Sequence, residues 1–494
     1  MVTRLRLFLA ALALLACAGA ALAVASPGDP SWCRQHPSNW RCRTTSTTTT
    51  TSSSSTTSTT TPTTTTVPTT TTTPTPAPTV AVPGTLGVQY GNGAIPQAEL
   101  GRYDIIDMSL YRVNDLKAAK DESGGATKVV AYYEPTIAQA TCSTTSYPYP
   151  NATPAWCGSP VSSQQALAHD QANPGDPWLL RDASGAPYLD PAAPSHSAQY
   201  FINPGSASYQ AAALSNLRRF LATGDPPYVI PTGYRYDGVF FDNSDPKLYW
   251  RGVPTLYNKG TAVTDAQWHT WFSSFLQNVA GALKGADGLY VMVNAGVAND
   301  NQGDDAIAWW NEIHPWVSGV TNEYWLQSAD STKQVMWNWI NTPDYRGWFD
   351  ERFREAGVAH SLGLDFFSLH VGDGTLTDRV EYEHAAFLLG WDGGRHSGFS
   401  VFGNNPTVPA AMAWIGTPTE AAQQVGPVDT TLGNIHTNHG WIRHFTGGVV
   451  VVNPAEAGQP PITFQLGGSY KTLSGAPVSS SVTLQPKTAM ILSR

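Results

Sequence analysis

Eight short apolar runs, separated by stretches of helical periodicity, constrain this chain more than any other feature. They fall at 86–90, 104–109, 128–134, 236–243, 289–294, 319–325, 361–367 and 398–402. Strands that alternate with helices pair in parallel and are covered on both faces, so their runs read as continuously apolar. The helical stretches are as clear. Residues 206–222 put Leu214, Leu217, Phe220 and Leu221 on one stripe. Residues 265–284 do the same with Trp268, Trp271, Phe272, Phe275 and Leu276. Further helices are expected at 304–314, 344–356 and 379–389. Eight such units across 80–433 predict an α/β fold, a (β/α)8 TIM barrel with insertions. No glycine-rich phosphate loop interrupts the pattern, which argues against a dinucleotide fold. From 434 to 494 the pattern changes to short strands at 441–445, 448–454, 462–466 and 488–492, broken by Gly, Pro and Ser. That stretch predicts a small C-terminal antiparallel β domain.

The chain ahead of the barrel has a different composition. Residues 1–25 read as an export signal: Arg4 and Arg6, an apolar run at 7–15, then small-residue cleavage sites at 21–25. The run is too short to span a bilayer comfortably. Ordinary cleavage is favoured over lipid attachment at Cys17, so a secreted protein with no transmembrane span in its mature form is expected. Residues 26–43 are a short Cys- and Trp-containing segment. Residues 44–79 are a Thr/Ser/Pro tract with almost no apolar side chains, which cannot form a core and reads as a linker. Cys33, Cys42, Cys142 and Cys157 remain after cleavage, an even number that suggests disulfides in an exported chain. Three pairings exist on paper; the local ones, Cys33–Cys42 and Cys142–Cys157, close short loops. The spacings lack the paired ligand pattern of zinc sites, so no metal and no cofactor is expected. A net charge of -9 with 13% charged residues excludes a nucleic-acid partner, which needs a basic face. The 17 Trp, 20 Tyr and 16 Phe serve either a large core or stacking platforms for sugars.

In a (β/α)8 barrel the catalytic groups sit at the C-terminal ends of the strands. Carboxylates at expected strand ends are Asp107, Glu134, Asp242, Glu323 and Asp365. Asp242 stands out because the buried run 238–241 ends on it, and burying an unpaired charge is costly. Turn chemistry follows in Asn243, Ser244, Asp245 and Pro246. Two carboxyl groups flanking a glycosidic bond can cleave it, one donating a proton to the leaving oxygen while the other attacks carbon or activates water. Strands four and six end across the barrel mouth from each other, which makes Asp242 and Glu323 the leading catalytic pair. Tyr132, Glu134, Asn243, Asn294, Trp325, Asp365, Asp107 and Trp250 are expected substrate contacts. Asp237, at the start of the fourth run, is expected to be structural. No Gly-x-Ser-x-Gly nucleophile context is present.

The octapeptide Tyr-Asp-Gly-Val-Phe-Phe-Asp-Asn at 236–243 resembles the fourth-strand signature of TIM-barrel glycoside hydrolases related to α-galactosidases and endo-polygalactosaminidases. The nearest resemblance is to the group catalogued as hypothetical glycosyl hydrolase family fifteen. It extends over roughly 85–493 and includes the hexapeptide at 200–205, Asn453-Pro454 and the tripeptide at 484–486. The resemblance implies a carboxylate nucleophile at Asp242, an acid/base at Glu323, retention of configuration and an oligo- or polysaccharide substrate. The alternative is a carbohydrate-binding or cell-wall-associated protein on a barrel without catalysis.

Overall fold

The computed structural model describes residues 81–90, 95–140, 158–191, 198–225, 228–248, 253–296, 303–323, 325–326, 348–371, 377–394, 396–402, 415–426, 439–455 and 458–494. The expected export signal at 1–25, the 26–43 segment, the expected linker at 44–79, all five cysteines and Trp250 lie outside the described residues.

The eight expected strands close into a parallel barrel. They are β1 (Val82–Gln89), β2 (Tyr103–Met108), β3 (Lys128–Tyr133), β4 (Gly238–Phe241), β5 (Tyr290–Asn294), β6 (Gly319–Glu323), β7 (Asp365–Val371) and β8 (Gly398–Phe402). Each pairs with its sequence neighbours, and β1 closes on β8. Alternate residues point inward. Leu86, Val88, Ile105, Val130, Phe240, Met292, Phe367 and Leu369 fill the interior as one buried cluster, the packed core expected of this fold.

Outside the barrel lie α1 (Val113–Glu122), α2 (Ser163–Ala172), α3 (Ala207–Thr223), α4 (Asp265–Phe275), α5 (Gly303–Ile313), α6 (Trp348–Ser361) and α7 (Thr377–Gly390). Helix starts follow local capping. The Ser162 and Thr264 hydroxyls accept from the amides of Gln165 and Gln267, at 3.0 and 3.1 Å. The apolar stripe of α3 buries Leu217, Phe220 and Leu221, each worth about 1.5–3 kcal/mol when taken out of water. Gly224, at φ +67°, then stops the helix. The α4 run continues through a wide turn at Leu276–Ala280 into Gly281–Gly285. One glycine is dictated by the barrel itself. A Cβ on Gly238 would lie 1.9 Å from the Tyr290 carbonyl oxygen, so β4 and β5 can approach only with glycine there.

Two boundary differences matter most for the site and the domain division. The seventh strand starts at Asp365, not at 361. Helix α6 runs to Ser361, and Gly363 turns the chain at φ +73° while Leu364 N–H caps the Ala359 carbonyl at 2.9 Å. The antiparallel domain also begins earlier than 434, because its edge strand is β9 (Gln423–Val425).

β9 is followed by β10 (Gly440–Phe445), β11 (Gly448–Asn453), β12 (Ile462–Gln465), β13 (Tyr470–Lys471), β14 (Pro477–Val478), β15 (Ser481–Leu484) and β16 (Thr488–Ser493). Six form one sheet in the order β9-β10-β11-β16-β13-β14, while β12 pairs with β15. The sheet docks on α7. Ile491 N–H donates to Glu381 Oε1 at 2.9 Å. Arg443, 9% exposed, donates to the carbonyls of Leu388, Leu389 and Trp391 at the end of α7 and to Glu420 O. The last carbonyls of a helix have no partner within it and favour a cation. Among the described residues, no helix is long and apolar enough to cross a membrane. Replacing Arg443 by Met keeps the apolar stem but strands these carbonyls. Arg443→Met is expected to lose about 3 kcal/mol of stability, read as a fall in the urea midpoint.

Candidate active site

The exit of β4 carries the centre of the site. Asp242 N–H still bonds the Tyr133 carbonyl at 2.8 Å, so its side chain faces inward at the C-terminal mouth. The next residue turns sharply: Asn243 has φ +50°, a region that asparagine tolerates better than most residues. Its N–H donates to Asp242 Oδ1 at 2.8 Å, and its side-chain amide donates to Glu134 Oε1 at 2.8 Å. Ser244 locks the turn through its hydroxyl to Phe241 O at 2.9 Å and its N–H to Asn294 O at 2.8 Å.

Three buried indoles hold the carbonyls that leave the ladder here. Trp309 Nε1 donates to Ser244 O at 2.8 Å, Trp268 Nε1 to Asp245 O at 3.1 Å and Trp310 Nε1 to Ala295 O at 3.0 Å. A buried carbonyl without a partner costs more than the bond returns, so these contacts set the path of both loops.

Asn294, the last residue of β5, joins the two predicted catalytic carboxylates. Its Nδ2 donates to Asp242 Oδ1 at 2.9 Å and to Glu323 Oε2 at 3.1 Å. One side-chain amide thus bridges the two carboxyl groups. Tyr132, an inward residue of β3, donates its hydroxyl to Asp242 Oδ2 at 2.7 Å. Burial, followed by the charges of Asp242 and Glu134, pushes the Tyr132 hydroxyl well above its usual range, so it stays a donor. Asp242 therefore accepts from three donors. Of the expected residues, the structure gathers Asp242, Glu323, Asn294, Tyr132, Asn243 and Glu134 at one mouth, each partly exposed.

Asp107 of β2 sits deeper, 2% exposed, and accepts from the Tyr90 hydroxyl. Two expected contacts are corrected. Asp365 starts β7 and pairs in register with Gly319, which starts β6, so it lies at the opposite end of the barrel. There it accepts from the Tyr290 hydroxyl at 2.6 Å. Trp325 is 1% exposed, packs on Phe366 and donates Nε1 to Glu355 Oε2 at 3.1 Å. It belongs to the wall behind β6, not to its mouth. Asp237 is structural as expected, accepting from Val129 N–H at 2.6 Å and pairing with Lys120.

Two residues beyond the sequence reading serve the site. Glu355 of α6 is fully buried and accepts from Asn322 Nδ2 at 2.8 Å as well as from Trp325, steadying the strand end that carries Glu323. Tyr90 stands edge-on to Tyr132, with ring centres 4.8 Å apart. An aromatic residue closing the first apolar run was the available signal for Tyr90. A glutamate in a helix gave none for Glu355.

No family model and no curated protein matches this chain. Among solved structures it is similar to the glycoside hydrolase domain of PelA from Pseudomonas aeruginosa, at 13% identity and a TM-score of 0.36, covering 66% of this chain and 98% of that one. It is also similar to Eubacterium rectale Amy13B, at 9% identity and 0.43, covering 85% and 97%. An α-amylase from Lactobacillus plantarum stands at 11% identity and 0.40, covering 83% and 98%. Likeness of this degree carries no function from those proteins to this chain.

Burial raises the Asp365 carboxyl to about 6, with the charges of Asp392 and Asp104 adding to the effect against the Tyr290 hydrogen bond and Lys128. A carboxyl raised in the folded state contributes its full share of stability below its ordinary value of about 3.9. It loses that share as pH rises through about 6. Asp365→Asn keeps an acceptor for Tyr290 and cannot ionise. The variant's melting temperature relative to wild type is therefore expected to be higher at pH 7.5 than at pH 4.5 in paired thermal melts. A difference that does not change between the two would contradict this account.

Proposed function

We propose that this protein is a secreted glycoside hydrolase acting on an oligo- or polysaccharide, with Asp242 as nucleophile and Glu323 as general acid/base. The observation that carries this reading is the shared Asn294 amide, which keeps two carboxyl groups close together at the barrel mouth. A separation of about 5–5.5 Å favours retention, whereas about 6.5–9.5 Å leaves room for a water and favours inversion. A single amide in contact with both carboxyl groups supports the shorter separation, and with it retention. The resemblance of 236–243 to the strand-four signature of hypothetical glycosyl hydrolase family fifteen points the same way.

In the first step an Asp242 carboxylate oxygen attacks the anomeric carbon as Glu323 gives its proton to the departing glycosidic oxygen. The C–O bond to the leaving sugar breaks and an ester to Asp242 forms. In the second step Glu323 takes a proton from water, the water oxygen bonds to the anomeric carbon, and Asp242 leaves as carboxylate. Tyr132 and Asn243 hold the nucleophile in place throughout. Asn294 senses both carboxyl groups, so its contacts change as charge passes from one to the other.

Asp242→Asn and Glu323→Gln are each expected to lower turnover by at least about a thousandfold while circular dichroism stays unchanged. A screen of polysaccharides and aryl glycosides with wild type beside Asp242→Asn provides the substrate. Proton NMR of the first-formed product should then show the anomer of the substrate. Full activity in either variant would reject the assignment of residues. Glycan binding with no product in wild type would favour the non-catalytic reading.

A further inference from the structure

We propose that Asp107 is a positioning residue of this site, holding the proton of a coupled Asp107–Asp242 pair so that only one of the two carboxyl groups is charged. The geometry is that of two tyrosine–aspartate pairs side by side. Tyr90 donates to Asp107 Oδ2, and Tyr132 donates to Asp242 Oδ2 at 2.7 Å. The rings of Tyr90 and Tyr132 meet edge to face at 4.8 Å, so the two pairs are packed against each other. The solvation of the two aspartates is opposite. Asp242 is partly exposed and accepts from Tyr132, Asn243 and Asn294.

Asp107 is 2% exposed, and its Oδ1 is buried with no hydrogen-bond partner among the described residues. A carboxylate offers about four acceptor sites. Asp107 is met by one hydroxyl and the N–H of Met108. That deficit is far costlier for an ion than for an acid. The titratable groups facing it are Tyr90 at the end of β1, Tyr132 on β3 and Asp242 after β4, with Glu134 beyond Tyr132. Burial first, then the charge of Asp242, pushes the Asp107 carboxyl well above the usual carboxylate range. An un-ionised Asp107 adds no second charge beside the nucleophile. Through Tyr90 it fixes the ring that orients Tyr132.

This rests on Asp242 being the charged member, as in the proposed function, but its test needs no turnover. Infrared spectra of the full chain at pH 7 should contain a C=O stretch of an un-ionised carboxyl that is lost in Asp107→Asn. On raising the pH of wild type the band should fade. In Asp242→Asn its fading should move down by about one pH unit or more, because the neighbouring charge is gone. A wild-type band that Asp107→Asn leaves intact overturns the proposal, and so does a midpoint unmoved by Asp242→Asn. If Asp107→Asn does not fold, the Asp242→Asn titration alone decides. Loss of hydrolysis in Asp242→Asn without a shifted midpoint would uphold the catalytic assignment and reject the coupling.

Discussion

Two carboxyl groups held a few ångströms apart repel whenever both are charged, and one amide makes the arrangement tolerable. Asn294 lies between Asp242 and Glu323 and gives one N–H to each. Neither contact exists unless β4, β5 and β6 end at matching heights. The parallel registers supply this, pairing Phe241 with Val293 and Asn294 with Thr321. Those registers depend in turn on Gly238, where any side chain would meet the Tyr290 carbonyl. A glycine at the foot of β4 thus determines what can happen at its top.

The tryptophans near the site do a different job from the one their number suggests. Trp268, Trp309, Trp310 and Trp325 are at most 2% exposed, so none offers a face to a sugar. Each uses its single N–H on a backbone carbonyl or a buried carboxylate behind a strand exit. An indole suits this place because it fills a large volume and carries one donor that must be satisfied. The loops of the candidate site are tied from behind by the same residues that form the outer core.

Much of this was legible in the sequence. The eight runs gave the barrel because continuous apolar stretches between amphipathic ones have few other ways to be buried on both faces. Asp242 stood out because an apolar strand rarely ends on a charge without partners nearby. Asp365 misled for an instructive reason: Ser361 and Leu364 look like strand residues, but Gly363 ends a helix there and shifts the strand by four positions. That shift moves the carboxylate from the top of the barrel to the bottom. Trp325 misled because strand alternation would turn it inward two residues past Glu323, but β6 already ends at Glu323. Glu323 points in, Asn322 and Trp325 reach Glu355 outside, and no local pattern announces Glu355. Contacts between elements distant in the chain leave no period to read.

The barrel seam gives the C-terminal sheet a meaning beyond decoration. β1 meets β8 through a single registered pair, Thr85 with Phe399, where the other neighbouring strands share three to five. The strand that closes this seam follows α7, the helix whose end Arg443 grips from the sheet. The appended sheet therefore works as a hoop around the joint of a cask, pressing the last stave home from outside. Cutting the sheet away would bare the last carbonyls of α7, one element before the strand that closes the barrel.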